Sequence, residues 1–500
     1  MSGGRFRNTQ MARAAGRPSA ARRGLTVGQW LFWSSAFAIL ALGAAATPVL
    51  TGQVLFFFVQ AAFAVIGLWR LLLIATSRRA PPPVLPDAET TSGSIDVWPR
   101  YTVLAALHDE AAVVPQLIRR LSALDYPADR LQGMLLLEAD DAPTLAAALT
   151  ADRPDWLEVV VVPDGLPRTK PRALNHGLAR ATGDLVTIYD AEDEPHPGQL
   201  REAASIFAAD RQGDLACIQA PLRIRPAEPD VAFGSRFLGR QFAIEYGCLF
   251  EVVVPAMTRM GLPFPLGGTS NHFRMEALKS VGGWDAWNVT EDADLGLALW
   301  RDGWRLGAAR LPTLETAPAT LHDWLPQRTR WLKGYLQTWG VHTRDLPGLG
   351  WRGTAALLLS IGGPLASAAT HAVSIAAITA LILVPATAGL APRVPLTALG
   401  VLGFGLVIAW LAGAIGAKRA GAPCTPLDLL AAPVVWALTS LALFHAAWRL
   451  LREPFAWDKT AHLPDPVDLT PAQDGSGPVA RPLPDDAAIS TSRSHQSLIR

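Results

Sequence analysis

The sequence predicts a mostly parallel α/β domain inserted between transmembrane helices. Three observations carry that expectation. Apolar runs without charged residues lie near both ends of the chain, strands alternate with helices between them, and three of those strands end in acidic clusters. Composition agrees: half of the 500 residues are hydrophobic and 17% are charged, against roughly 25% charged in a typical soluble domain. The net charge of +1 advertises no nucleic-acid partner. Cys217, Cys248 and Cys424 are far apart and give neither metal-ligand spacing nor a disulfide framework.

The first apolar run follows a basic segment, residues 1–24, with Arg5, Arg7, Arg13, Arg17, Arg22 and Arg23 and no acid. Residues 24–69 contain no Asp, Glu, Lys, Arg or His. A membrane helix needs about 20 apolar residues, so this run holds two, at about 27–46 and 53–75. The turn falls between Thr47-Pro48 and Gln53. Arginines on both flanks (Arg70, Arg78 and Arg79 on the far side) direct both ends of the hairpin, 25–76, to the cytoplasm. A twin-arginine signal at Arg22-Arg23 is the competing reading, but the run exceeds a signal core of about 7–15 residues. Pro81-Pro82-Pro83 and a polar stretch mark a linker over 77–97.

From 98 to 345 the pattern is that of alternating strands and helices. Tyr101–Leu107 reads as a strand ending in His108-Asp109-Glu110, then a helix to Ala123. Met134–Leu137 ends in Glu138-Ala139-Asp140-Asp141, and a helix follows Pro143. Leu157–Val162 is a third strand, Lys170–Ala181 a helix, and Leu185–Tyr189 a fourth strand ending in Asp190-Ala191-Glu192-Asp193-Glu194. Leu215–Gln219 is the fifth. Such alternation gives a sheet covered on both faces, with ligands beyond the carboxyl ends of its strands. Several carboxylates at one rim are costly unless a cation or donors meet them. Bound Mg²⁺ or Mn²⁺, with a ligand carrying a diphosphate, would meet them. Helix capping is the alternative, and it explains 109–110 better than 190–193.

The C-terminal membrane region, 346–450, holds three or four helices. Residues 353–392, 394–417 and 429–448 lack Asp, Glu, Lys and Arg. Residues 451–500 read as an interfacial segment (Leu451–His462) and a disordered tail rich in Pro, Asp, Ser and Gly.

Four motifs give the domain a family resemblance. They are Asp190-Ala191-Glu192-Asp193, Thr290-Glu291-Asp292, Gln327-Arg328-Thr329-Arg330-Trp331 and Lys170-Pro171-Arg172-Ala173-Leu174-Asn175. Together they resemble glycosyltransferase family 2, in its membrane-embedded, cellulose synthase-like branch. The resemblance covers about 98–345 and the flanking helices, and it implies a GT-A (Rossmann-like) catalytic fold. It assigns the catalytic base to Asp292 and a divalent metal, Mg²⁺ or Mn²⁺, to Asp190 with Glu192 or Asp193. It assigns the nucleotide sugar to Asp140, Lys170, Gln327 and Arg330. Acceptor binding falls to Trp331 and to Gly268, Thr269, Asn271 and His272 of Phe264–Arg274. Arginine's planar fork suits phosphate and tryptophan's flat face suits sugar.

The leading expectation is an inverting enzyme of a bacterial inner membrane with its catalytic domain in the cytoplasm. It would take a UDP-sugar or other nucleotide sugar and extend a β-linked polysaccharide, exporting it through its own helices to periplasmic partners. A non-processive transferase with a lipid acceptor is the second reading. An inactive membrane scaffold or transporter is the third, and the intact motifs weigh against it.

Overall fold

The computed structural model describes residues 20–77, 97–226, 233–387 and 395–457. The expected basic segment up to residue 19, the linker 78–96 and the tail from 458 lie outside the described residues.

Two apolar helices open the described chain, α1 (Val27–Ala46) and α2 (Pro48–Thr76). Thr26 and Gln29 form a capping box at the start of α1. Thr47 alone makes the turn, so α2 begins several residues earlier than the sequence suggests. Proline is at ease in a first helical turn, where its missing N–H would have no partner.

The domain follows as β1 (Tyr101–Leu107), α3 (Val114–Ser122), β2 (Leu131–Glu138), α4 (Ala142–Thr150) and β3 (Leu157–Val162). Next come α5 (Lys170–Leu178), β4 (Leu185–Ile188), β5 (Glu194–Pro195), α6 (Gln199–Ala209), β6 (Leu215–Gln219) and β7 (Leu222–Ile224). After α7 (Phe233–Cys248), a π-helical turn at Leu249–Val253 leads into α8 (Val254–Met260). The domain closes with β8 (Asn271–Arg274), α9 (Met275–Ser280), α10 (Glu291–Arg301), β9 (Arg305–Ala308), β10 (Thr313–Glu315) and α11 (Leu321–His342).

Seven strands form the main sheet in the order β3-β2-β1-β4-β8-β6-β9. All neighbours are parallel except β8, which runs antiparallel to both β4 and β6. Alternation along β1 divides its side chains between two cores. Leu104 joins one with α5, α7, α9 and α10, while Tyr101, Val103 and Ala105 join the other with α3, α4 and α6. A second sheet, β5-β10-β7, lies outside these strands in the order.

Beyond the domain, α12 (Gly350–Leu357) passes through a π-helical turn, Leu358–Gly362, into α13 (Gly363–Thr387). Then come α14 (Leu396–Ala420) and α15 (Pro426–Arg452). Among the described residues five stretches are long and apolar enough to cross a membrane: α1, α2, Pro347–Val384, α14 and α15. Bare backbones meet where α14 passes α7, since a Cβ on Gly416 would lie 2.4 Å from the Cys248 nitrogen. Arg419, at the end of α14, donates to the carbonyls of Ser77 and Glu251, each at 2.8 Å.

Helix α15 is unlike the others. At its start Asp428 accepts from Arg240 of α7 at 2.8 Å, and the Asp428 carbonyl accepts from Gln241 at 2.7 Å. Just past its end, Lys333 of α11 donates to the Ala456 carbonyl at 2.7 Å and Gln337 to the Pro454 carbonyl at 2.9 Å. About two turns before its end, His445 meets Thr329 of α11 at 3.2 Å. Both ends of α15 therefore touch helices of the domain, although by composition alone it qualifies as a span.

Candidate active site

The order β2-β1-β4 reverses direction at β1, and a parallel sheet binds ligands at such a switch point. Asp190 follows β4 there, Asp109 follows β1 and Asp140 follows β2. All three line one cavity of about 940 Å³. Glu192, Lys170, Gly268, Thr269, Asp292, Gln327, Arg330 and Trp331 line it too. The four sequence motifs thus converge, although 161 positions separate Lys170 from Trp331.

Lys170 opens α5 and donates its ammonium to the Asp190 carboxylate and, at 2.7 Å, to the Gly268 carbonyl. Burial opposes its charge, but Asp190, Glu291 and Asp193 outweigh that effect and raise Lys170 above its usual range. Asp193 is fully buried and stands behind Asp190. It accepts from the Asp190 amide at 2.7 Å and from the Thr269 hydroxyl. Burial, with Asp190 and Glu192 nearby, raises it well above the carboxylate range. Asp190 and Glu192 therefore face the cavity, and Asp193 supports the turn that carries them. Of the other acidic pair, Asp140 faces the cavity with Arg168 on it, while Asp141 caps α4 through the Thr144 amide at 3.2 Å.

Thr290 precedes α10, and Glu291 and Asp292 form its first turn. The Asp292 carboxylate accepts from the Ala293 amide at 2.7 Å, and burial raises its pKa. Burial and the Asp292 charge push Glu291 up to about 8. Asp294 is turned away, bonded to His342 at 2.9 Å. A Cβ on Gly268 would stand 3.3 Å from Asp292 Oδ2, so glycine lets that backbone approach the carboxylate closely.

On α11, Gln327, Arg330 and Trp331 project to the cavity, and the Arg330 guanidinium lies 4.6 Å from the Trp457 ring centroid. Trp331 sits beside Phe242 at 5.8 Å and Tyr246 at 6.4 Å, ring to ring.

Two expected acceptor contacts do not reach the cavity. Asn271 and His272 belong to β8, a strand that the polar spelling of Phe264–Arg274 hides. His272 is wholly buried between the Tyr101 hydroxyl at 2.6 Å and Gln199 at 3.2 Å, and burial lowers its pKa to about 3. Asn271 donates to the Gly267 carbonyl at 2.6 Å and so shapes the loop that holds Gly268 and Thr269.

Sequence reading also missed cavity residues. Glu315 on β10 is raised well above its ordinary value by burial and by Asp193, Glu192 and Asp190. Glu245 on α7 and Tyr335 on α11 line the cavity as well. No motif flags them; only the fold brings them near. Among the described residues no three acidic, His or Cys side chains converge as a closed metal cage. Hard carboxylate oxygens at Asp190 and Glu192 still fit a Mg²⁺-like ion. Such ions bind through one or two carboxylates plus the phosphates of a substrate.

A carboxylate-lined cavity at the switch point of a mostly parallel sheet, set among apolar helices, defines a GT-A domain. The sequence matches Glycosyl transferase family 2 over residues 103–226 and Glycosyl transferase family group 2 over 185–412. The chain belongs to glycosyltransferase family 2 and has cellulose synthase-like relatives. One relative is a β-monoglucosyldiacylglycerol synthase of Synechocystis, 30% identical over 279 residues, 54% of each chain. Another is a UDP-forming cellulose synthase catalytic subunit of Komagataeibacter sucrofermentans, 29% identical over 54% of this chain and 34% of that one. The chain thus spans about half or less of the length of these relatives. Among solved structures, a Pyrobaculum calidifontis mannosyltransferase in complex with GDP-mannose and Mn²⁺ shares the fold. Its TM-score is 0.54 at 20% identity, over 80% of this chain and 98% of that one.

Proposed function

We propose that the protein is an inverting glycosyltransferase that moves a sugar from a nucleotide diphosphate to a lipid held at the membrane face. The observation that carries this reading is the cavity itself. It runs from Asp190 and Asp292 past Trp331 to Trp69 and Arg70 of α2, Ser367 and His371 of α13, Trp410 of α14 and Trp436 of α15. At Ile66 and Ser367 it adjoins an apolar groove between α2 and α13, lined by Leu55, Phe58, Val59, Ala62 and Phe63. Of its hydroxyls Thr370 already donates to the Ala366 carbonyl and Ser367 meets His371, so the groove suits acyl chains better than sugars.

Helix count supports the same choice. With both ends of α15 held by the domain, α1–α2 and α13–α14 are the two hairpins that cross, and α15 lies along the membrane face. Four crossing helices make a narrow conduit for a polymer. The polymer reading keeps one support, the line of Trp331, Trp69, Trp410 and Trp436 along the cavity, since sugars stack on such rings.

The chemistry follows from the residues. Asp292 takes the proton of the acceptor hydroxyl as its oxygen attacks the anomeric carbon. The bond from that carbon to the phosphate oxygen breaks, the configuration inverts, and the nucleoside diphosphate leaves. A raised pKa strengthens a carboxylate as a base. Arg330, Gln327 and Lys170 hold the diphosphate, and Asp140 holds the nucleoside. Bound at Asp190 and Glu192, Mg²⁺ or Mn²⁺ would neutralise charge on the leaving diphosphate. Gly268 and Thr269 shape the acceptor side. Lys418 and Arg419 end α14 on the domain side, which supports a cytoplasmic domain in a bacterial inner membrane.

The test is nucleoside diphosphate release by the full-length protein in detergent, with Mn²⁺, a panel of nucleotide sugars (UDP-sugars first) and diacylglycerol or total lipid as acceptor. Sugar recovered in the organic phase as a single addition supports the lipid reading. A water-soluble product that lengthens with donor excess would replace it with the polymer reading.

A further inference from the structure

We infer that the membrane arm of the cavity binds the phosphate of an acidic phospholipid, with Arg70 as its counter-ion and Trp410 and His371 as further donors. The inference rests on the lipid-acceptor reading and names the class of lipid: an acidic phospholipid whose headgroup carries the acceptor hydroxyl beyond the phosphate, phosphatidic acid serving below only as a probe of phosphate binding.

Arg70 was legible in the sequence only as a flanking positive charge. In the structure it belongs to α2, six positions before the last residue, Thr76. That is about 9 Å short of the helix end at 1.5 Å per residue. Its guanidinium lines the cavity and makes no hydrogen bond or ion pair with the described residues. The acids nearby in the fold are already committed: Glu245 to Arg328 and Glu251 to Arg223 at 2.8 Å. An arginine within a membrane helix is rare, faces a cavity or pathway, and calls for a partner.

Trp410 lines the same cavity. Its indole nitrogen is buried without a hydrogen-bond partner. A buried N–H left unmet is costly, so its retention favours a ligand oxygen there. The third donor is His371, whose Nδ1 meets the Ser367 hydroxyl at 3.3 Å. A neutral imidazole donates through one nitrogen and accepts through the other, so Nε2 donates to a ligand in the tautomer whose Nδ1 accepts from Ser367. The ring is wedged between Trp436 at 5.0 Å and Phe63 at 5.8 Å. Phe63 also lines the apolar groove, so the donors stand where a headgroup meets its chains.

A guanidinium and an indole N–H donate, as does one imidazole nitrogen, and among the described residues Glu245 and Glu251 are already paired with other arginines. That set matches phosphate, for which arginine has the right fork. A neutral diglyceride would occupy the groove and leave Arg70 without a counter-charge.

The experiment uses the full-length protein in neutral detergent and native mass spectrometry. It is titrated with dioleoylphosphatidic acid, with dioleoylglycerol of the same chains, and with inorganic phosphate. The expected result is saturable binding of one phosphatidic acid, with dioleoylglycerol weaker by about tenfold or more, the size of one charge-assisted bond. Arg70→Gln should weaken phosphatidic acid by a similar factor, Arg70→Lys by less, and each should leave UDP binding unchanged. Trp410→Phe keeps the ring, removes the donor, and should weaken binding severalfold, which serves if Arg70→Gln does not fold. Equal binding of both lipids, or phosphatidic acid binding indifferent to both Arg70→Gln and Trp410→Phe, overturns the inference. Inorganic phosphate that competes as well as the lipid overturns the lipid source. Transfer onto dioleoylglycerol without any phosphatidic acid preference would sink this inference and keep the proposed function. Tight phosphatidic acid binding without transfer to any lipid would do the reverse.

Discussion

The guanidinium of Arg328 grips the carboxylate of Glu245 through two hydrogen bonds, at 2.5 and 2.6 Å. The pair ties α11 to α7, and the same guanidinium lies 4.7 Å from the Trp331 centroid. Arg328 is 7% exposed. Removing one partner of such a pair leaves a buried charge uncompensated. We expect Glu245→Gln to cost about 2 kcal/mol, less than the 3–5 of a fully buried pair because Glu245 is half exposed. Adding Arg328→Met should recover part of that loss. Thermal unfolding of the two single variants and the double variant checks the coupling; additive losses would mean the pair is not coupled.

Asp292→Asn keeps the size and hydrogen-bonding shape of the side chain and removes its basicity. Transfer should fall by about 10²–10⁴, the usual worth of a general base. Nucleotide affinity should hold. Loss of nucleotide affinity at normal turnover would assign Asp292 to binding instead.

Gly334 is where α11 lies against Thr290. A Cβ there would stand 2.2 Å from Thr290 Oγ1 and 2.5 Å from its Cγ2. Gly334→Ala should therefore push α11 away from the Thr290-Glu291-Asp292 turn. The expected cost is about 1–3 kcal/mol of stability, as for an overpacked core, with lower turnover. Gly340, six positions on, is the control: its added Cβ would lie 3.4 Å from Leu25 Cδ2. Gly340→Ala should be neutral or slightly stabilising, since alanine suits a helix better.

The contrast between these two glycines also marks what the sequence can carry. Strands β1, β3 and β6 are legible residue for residue, because short apolar runs bounded by acids or turns admit few other readings. Asp190, Asp292 and Trp331 are legible because their motifs are local. His272 is not: a polar run beside Gly267-Gly268 reads as a loop until β4 and β6 are known to flank it. Glu315 and Glu245 lack any local pattern and meet the site only through β10 and α7. Helix α15 is legible as a long apolar helix, but its ties to α7 through Asp428 and to α11 through Lys333 carry no local pattern, because apolarity reports burial in lipid and in protein alike.

Metal dependence separates Asp190 from Asp193. If Asp190 ligates the ion, chelation should stop transfer and Mn²⁺ or Mg²⁺ restore it. Asp190→Asn should then raise the Mn²⁺ needed for half-maximal activity. Asp193→Ala removes the one oxygen, Oδ2, that accepts from both the Asp190 amide and the Thr269 hydroxyl. As a supporting group it should weaken metal affinity or activity by about 10–100-fold. Full activity after exhaustive chelation would remove the metal from the scheme.

Glu291 gives the domain a pH-dependent stability. Its carboxyl is pushed from an ordinary 4.5 up to about 8 by burial and by Asp292 beside it. The folded chain therefore holds this proton more tightly than the unfolded chain does. Between those two values the native state binds more protons, so unfolding free energy falls as pH rises. The contribution of Glu291 is fully present below about 4.5 and is lost progressively up to about 8. Glu291→Gln mimics the protonated form at every pH. Thermal stability of the wild type should decline from pH 5 to pH 8 more steeply than that of the variant, with the curves closest at the acid end. Parallel curves over that range would mean that Glu291 titrates as an ordinary carboxylate. The same titration bears on Asp292, since an ionised Glu291 would place a second charge beside the proposed base and raise its proton affinity further. Transfer by Glu291→Gln should therefore reach its plateau at lower pH than the wild type, a shift that a pH–rate profile reads directly.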